Sequence, residues 1–277
     1  MSSLGTLVTY NPWTVGPTAL LHDIAARFDE LGVHHVPVVD AERRVIGLVS
    51  ESDILRARQA SRLVTAGGGG ADTDDAPAVF ARDAMTRQIV AVAVKSTFAD
   101  ALRFLLERQI HALPVVDDGR LIGMISSRDF LREFSYGELP CSREPISSLL
   151  ANTAPEPLDP DTSLDDAFLA MQETGAGCLA VAKSGCPLGV LAQRDIVREK
   201  CRLIEEGSAS DELRTAPILS AVRSSPTIRP GQRLCEAAAA MIELRLPAVT
   251  IVNQSNRLLG LVSEDDLLRV LYDAEAK

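Results

Sequence analysis

One short string recurs four times in this 277-residue chain and limits the fold more than any other feature. It reads Gly47-Leu-Val-Ser-Glu-Ser-Asp53, Gly123-Met-Ile-Ser-Ser-Arg-Asp129, Gly189-Val-Leu-Ala-Gln-Arg-Asp195 and Gly260-Leu-Val-Ser-Glu-Asp-Asp266. Gly precedes Asp by six positions in every copy, and two apolar residues follow the Asp directly. Internal self-similarity of this kind marks a repeated supersecondary unit, not one large domain.

The surroundings of the string repeat as well. Upstream of each copy lies a strand-like apolar run: Val36-Pro-Val-Val39, Leu113-Pro-Val-Val116, Leu179-Ala-Val-Ala182 and Val249-Thr-Ile-Val252. A polar turn such as Asp117-Asp-Gly-Arg120 joins that run to the Gly-containing strand and reads as a hairpin. A helix comes before each hairpin, with core positions three and four apart: Leu21, Ile24, Ala25, Phe28; Phe98, Ala101, Leu102, Leu105, Leu106; Leu164, Ala167, Phe168, Met171; and Leu234, Ala237, Ala238, Met241, Ile242. After each Asp the pattern returns to helix. The unit is therefore β-α-β-β-α over about 55 to 60 residues, too small to cover both sheet faces alone.

Pairing of units buries those faces, so an α+β chain of four repeats in two pairs is expected. The pairs run over residues 1–138 (repeats about 5–60 and 80–135) and 139–277 (repeats about 146–202 and 216–273), with the boundary in the segment Gly137 to Pro145. Ser61 to Pro77, which holds Gly67 to Gly70, reads as a flexible surface loop inside the first pair. No room remains for a separate catalytic domain.

Composition excludes several function classes. The formal net charge is −10, which disfavours sequence-independent binding to nucleic acid or an anionic membrane while allowing a localised basic pocket. No apolar stretch reaches spanning length and no basic leader precedes one, so a cytoplasmic protein is expected. Cys141, Cys178, Cys186, Cys201 and Cys235 form no Cys-x-x-Cys pair and read as small apolar fillers; Cys178 and Cys186, flanking one short strand, are the two that could approach each other. Gly175-Ala-Gly177-Cys-Leu-Ala180 mimics a dinucleotide fingerprint but precedes a strand, so it reads as a helix end.

The apolar-Pro-Val-Val strand, the Gly-apolar-apolar-Ser-x-x-Asp string and lead-in segments such as Asp83-Ala-Met-Thr86 resemble the CBS domain family, named after the regulatory tail of cystathionine β-synthase. Copies three and four depart from the pattern, with Ala192 for the Ser and Thr250 where the Pro would stand. The resemblance implies tight pseudo-twofold pairs of repeats with clefts for adenosine-containing ligands: AMP, ADP, ATP or S-adenosylmethionine. A four-repeat chain is similar in plan to the γ regulatory subunit of AMP-activated protein kinase. The implied role is a non-catalytic energy or metabolite sensor acting on an unidentified protein partner, with homodimers common among such pairs.

The string has a chemical logic for such ligands. It passes from a strand into the first turn of a helix, where unpaired N–H groups favour an anion. Ser50, Ser126 and Ser263 add hydroxyl donors, and Arg128 and Arg194 add guanidiniums for phosphate. An ionised Asp accepts only and repels phosphate, so Asp53, Asp129, Asp195 and Asp266 are assigned to the ribose hydroxyls. Helix capping by the same Ser and Asp residues is the competing reading. His34 and His111 stand three residues before the strand proline, where the resemblance places a phosphate-directed His or Arg; His35 follows His34. Adjacent histidines make poor metal ligands, so no metal site is expected. An apolar adenine slot is assigned to Ile89, Ala91, Ala112 and Pro114, with Val36 and Pro37 in the first repeat. The accumulation of His34, His111, Ser126, Arg128 and Asp129 points to nucleotide in the first pair, and the second pair, poorer in phosphate ligands, suits S-adenosylmethionine. The other classes carried forward are a ligand-free assembly scaffold and, more remotely, a nucleotide hydrolase.

Overall fold

The computed structural model describes residues 4–57, 79–150 and 155–275. The loop read at 61–77 lies outside the described residues. Two compact units emerge, Met1–Ser126 and Ser127–Lys277.

The first unit contains β1 (Thr9–Tyr10), α1 (Leu21–Leu31), β2 (His35–Val39), β3 (Val45–Ser50), α2 (described over 51–57), α3 (Ala81–Ala84), β4 (Val92–Ala93), α4 (Phe98–Arg108), β5 (Ala112–Asp117) and β6 (Arg120–Ser126). One sheet has the order β1-β6-β5-β4, and β2 pairs with β3. The second unit contains α5 (Ser127–Ser135), α6 (Leu164–Thr174), β7 (Cys178–Lys183), β8 (Cys186–Ala192), α7 (Gln193–Glu205), α8 (Ser210–Thr215), β9 (Thr227–Ile228), α9 (Leu234–Leu244), β10 (Ala248–Val252), β11 (Leu258–Ser263) and α10 (Glu264–Glu275). Its strands form a β11-β10-β9 sheet and a β7-β8 hairpin.

Each repeat keeps the expected order, and the four hairpins share one irregularity. Register shifts at Val38/Val39, Val115/Val116, Val181/Ala182 and Ile251/Val252, so every hairpin bulges at the same place and gains local twist. The Asp117–Arg120 turn has Asp118 and Gly119 at positive φ, as a tight two-residue hairpin loop needs. The lead-in strand is far shorter than expected. It is two residues long in β4 and β9, and single parallel bridges, Val15 to Val38 and Leu158 to Val181, stand for it in the other repeats.

The helical stripes face the cores as their spacing requires. Leu21, Ile24 and Phe28 of α1 are buried with Val36, Val38 and Val49, and Leu164, Ala167 and Met171 of α6 with Leu179, Val181 and Leu191. All four of these hairpin-preceding helices end on a left-handed residue: Gly32, Gln109, Gly175 and Arg245. Gly175 thus terminates α6, as its place before a strand implies.

The repeat glycines hold close approaches of neighbouring chain. A Cβ on Gly47 would meet the Met85 side chain at 2.2 Å, on Gly123 the Val8 side chain at 2.3 Å, and on Gly189 the carbonyl oxygen of Arg223 at 2.2 Å. Within each unit, then, the lead-in of one repeat lies over the Gly-containing strand of its neighbour. Backbone pairing follows: Leu48 with Thr86 in the first unit, Val190 with Arg223 in the second.

Two details differ from the sequence reading. Packing assigns α5 to the second unit, where it lies on α9 and α10, so the compact units divide at Ser126/Ser127 although the repeats end at 138/139 by pattern. Cys178 and Cys186 do not approach: the register pairs Cys178 with Ala192 and Cys186 with Lys183, at opposite ends of the hairpin, and all five cysteines are free.

Candidate functional site

The aspartates of the repeated string lie in the first turns of α2, α5, α7 and α10. At Asp53 and Asp266 the cap is reciprocal. Asp53 Oδ2 accepts from Ser50 N at 2.9 Å and Ser50 Oγ at 2.6 Å, while Asp53 N donates to Ser50 Oγ at 3.3 Å. Asp266 and Ser263 make the same three bonds at 2.8, 2.6 and 3.2 Å. Asp195, facing Ala192 instead of Ser, keeps only the Ala192 N–H at 3.1 Å. The second oxygen meets an arginine one turn on: Arg56 at 2.8 Å from Asp53, Arg132 at 3.2 Å from Asp129 and Arg198 at 3.9 Å from Asp195.

Capping therefore engages at least one oxygen of Asp53, Asp195 and Asp266, and Ser50 and Ser263 act as cap residues. Ser263→Ala is expected to lower stability by about 1 kcal/mol in a urea melt, the usual effect of a lost cap. Asp53 also borders a hollow of about 340 Å³ lined by Arg56, Ala57, Asp83 and Ala84.

The other residues assigned in the first unit are spread over its hairpins and lead-in segment. His34 Nδ1 lies 3.2 Å from Glu51 Oε2, so an acidic partner already faces this ring. His35 opens β2, paired with Ser50, and His111 is exposed just ahead of β5. Val36, Pro37, Ala112 and Pro114 are buried in their strands, whereas Ile89 is half-buried and Ala91 exposed. The compact units also divide the expected accumulation: His34, His111 and Ser126 belong to the first, Arg128 and Asp129 to the second.

In the second unit the positive charge concentrates. The turn after α9 is its hub: Arg223 Nη1 donates to the carbonyl of Arg245 at 3.0 Å, Arg223 Nη2 to that of Leu244 at 3.5 Å, and Arg194 Nη2 to that of Arg245 at 3.5 Å. Two guanidiniums thus converge on one neutral carbonyl. Arg128, half-buried in the first turn of α5, feels Arg194, Arg223 and Arg245 together; burial first, then these like charges, hold its pKa below the usual arginine value, and Glu264 opposes them. Asp195, 4% exposed, has its carboxyl pushed above the ordinary range by burial, against the pull of Arg194 and Arg223. Cys178 is buried at the start of β7, and burial together with Asp265, Asp266 and Glu264 raises its thiol to about 12. It is inert packing.

Of the sequence assignments, the fold brings Arg128, Arg194 and Asp195 into one neighbourhood. Sequence reasoning missed Arg223, Arg245 and Glu264. Arg223 lies in a lead-in segment with no motif. Arg245 carried a signal: it takes the left-handed cap, φ 53°, which Gly fills in the first and third repeats, and a large side chain held in that conformation is commonly one with a use.

Among the described residues no cluster of His, Cys, Asp or Glu could hold a metal ion, and no helix is long and apolar enough to cross a membrane.

This arrangement of paired β-α-β-β-α repeats, each with an Asp in the first turn of its last helix, defines a class of repeat domain. A family model described as CBS domain matches residues 4–60, 81–136, 146–201 and 218–273, and the chain belongs to that family. An uncharacterized protein of Methanopyrus kandleri, MK0525, is 27% identical over 135 residues, 48% of this chain and 63% of that protein. An uncharacterized 33.4 kDa protein of Thermofilum pendens is 26% identical over 197 residues, 68% of this chain and 61% of that one. The chain thus spans less than two thirds of these curated relatives. Among solved structures, protein MJ1225 of Methanocaldococcus jannaschii, put forward there as an archaeal homolog of γ-AMPK, superposes with a TM-score of 0.75 over 98% of this chain and all of that one, at 18% identity.

Proposed function

We propose that the chain is a non-catalytic regulatory protein whose second unit binds the phosphates of an adenine nucleotide, AMP, ADP or ATP, through Arg128, Arg194, Arg223 and Arg245. The meeting of the Arg194 and Arg223 guanidiniums on the Arg245 carbonyl is the observation that carries the reading, and the charges of Arg128 and Arg245 act on the same neighbourhood. Arginine forks match phosphate oxygens bidentately, and phosphate is a far better acceptor for Arg194 and Arg223 than the single carbonyl they share. The ribose goes to the aspartates of the repeated string, through the oxygen opposite the cap, which at Asp53, Asp129 and Asp195 it takes over from the exposed arginine one turn on. For a nucleotide bound within the first unit, His34, His35, His111 and Ser126 are the phosphate-facing residues and Val36, Pro37, Ile89, Ala91, Ala112 and Pro114 the base-facing ones, as assigned from the sequence; they take no part in the site of the second unit.

Regulation follows from differential affinity. A ligand that binds two arrangements of the protein unequally shifts their populations, with a typical coupling of about 1–3 kcal/mol. The readout is an unidentified protein partner, in a cytoplasmic setting, with the chain alone or as a homodimer. Isothermal titration of the full chain with AMP, ADP and ATP tests the reading. Saturable binding to each, and weaker binding of adenosine, is expected; no heat at millimolar nucleotide overturns it.

A second ligand is favoured at the first unit by the charge of its hollow. Asp53 and Asp83 line it, and Arg56, the one arginine among the described residues of its lining, is already paired with Asp53. Two carboxylates suit an adenosyl ligand that carries positive charge, so S-adenosylmethionine is assigned here and phosphate to the second unit, the reverse of the distribution expected from the sequence. Competition separates the two: S-adenosylmethionine displacing AMP would show one shared site.

A further inference from the structure

The arginine site contains an acidic residue that none of its arginines satisfies. Glu264 opens α10, is 9% exposed, and its Oε1 is buried with no hydrogen-bond partner among the described residues. Its N–H donates to the carbonyl of Pro247 at 2.9 Å, two residues beyond the Arg245 carbonyl that receives Arg194 and Arg223. α10 packs on α5, and the Glu264 carboxylate opposes the like charges around Arg128. A buried carboxylate oxygen without a donor is costly, so its retention calls for a role.

The first repeat shows the same device in completed form. Glu51 occupies the equivalent position, directly after the Ser of the string, and faces His34 at 3.2 Å. The second and third repeats carry Ser127 and Gln193 there.

Resting on the nucleotide reading above and deepening it, we propose that Glu264 is the built-in competitor of the arginine site, a resident negative charge that weakens anion binding and disfavours the more highly charged anions. An arriving phosphate meets guanidiniums whose field Glu264 partly cancels, and Glu264 repels it directly. The repulsion grows with the charge of the ligand. Asp195, Asp265 and Asp266 add to the same field. The site is thereby set for a nucleotide of low charge that brings further contacts through its sugar and base, not for free polyphosphate.

Calorimetric titration of the full chain with inorganic pyrophosphate and with AMP, at fixed pH and salt, tests this. Glu264→Gln keeps the shape and removes the charge. Pyrophosphate is expected to bind about tenfold more tightly to the variant, and AMP to gain by a smaller factor. Unchanged or weaker pyrophosphate binding overturns the proposal. Should thermal melting show Glu264→Gln unfolded, Glu264→Asp withdraws the charge by one methylene, and a two- to threefold gain, about, is expected from it; no gain again overturns the proposal. Wild-type binding of AMP without tightening in the variant sinks this inference alone. A wild-type chain blind to every adenine nucleotide, beside a variant that binds pyrophosphate, sinks the nucleotide reading and supports this one. Neither protein binding either probe overturns both.

Discussion

Arg128→Ala combined with Arg223→Ala weakens nucleotide binding at the second unit by about a hundredfold or more, the larger of two effects expected from the arginine cluster and its frame. A hydrogen bond to a charged group contributes about 1.5–3 kcal/mol; the two guanidiniums address one phosphate and so couple, and the double variant is expected to lose about 3 kcal/mol, less than the full sum. Arg128 stands in α5 and Arg223 in the segment ahead of β9. Removal of the Arg223 side chain leaves its backbone pairing with Val190 intact, at 2.9 Å in both directions. The loss is therefore expected in affinity, with a modest change in melting temperature. Titration with AMP, ADP and adenosine measures it. Affinity for the two nucleotides falls, that for adenosine holds, and a double variant that binds AMP as tightly as wild type would refute the site.

Gly189→Ala is expected to destabilise the second unit by about 3 kcal/mol. The new methyl would lie 2.2 Å from the carbonyl oxygen of Arg223 and 2.9 Å from its carbonyl carbon and from Val222 Cγ1. Two of these atoms belong to backbone and cannot yield without opening the Val190–Arg223 bridge, which makes two hydrogen bonds. Gly231→Ala is the matched comparison, because nothing lies within 4 Å of its added Cβ. Urea denaturation followed by circular dichroism gives both values. Equal midpoints for Gly189→Ala and wild type would show that the close approach does not constrain the fold. Since Arg223 supplies a guanidinium to the cluster, the same substitution also weakens nucleotide binding.

The repeat plan was legible because it is written in local spacing. Apolar residues three and four apart produced α1, α4, α6 and α9, and the apolar runs with their turns produced the four bulged hairpins. The string itself was only half understood from sequence. Its Gly carried no assigned role, and in three repeats the structure shows what the missing side chain makes room for: Met85, Val8 or Arg223 from the neighbouring repeat. Its Ser and Asp read equally as caps and as ligand contacts, and the short bonds at Ser50–Asp53 and Ser263–Asp266 show the cap.

Sequence alone determined the element order, the four repeats, the buried stripes and the identity of Arg128 and Arg194 as candidate phosphate contacts, because each depends on residues within one or two turns of one another. Tertiary structure decided that α5 packs with α9 and α10, that Arg223 and Arg245 join Arg128 and Arg194, and that Glu264 is buried among them. Arg128, Arg194 and Glu264 belong to different copies of the string, Arg223 and Arg245 lie outside it, and all five stand far apart along the chain. Charge acts through space, so their common field exists only once the helices and hairpins have packed.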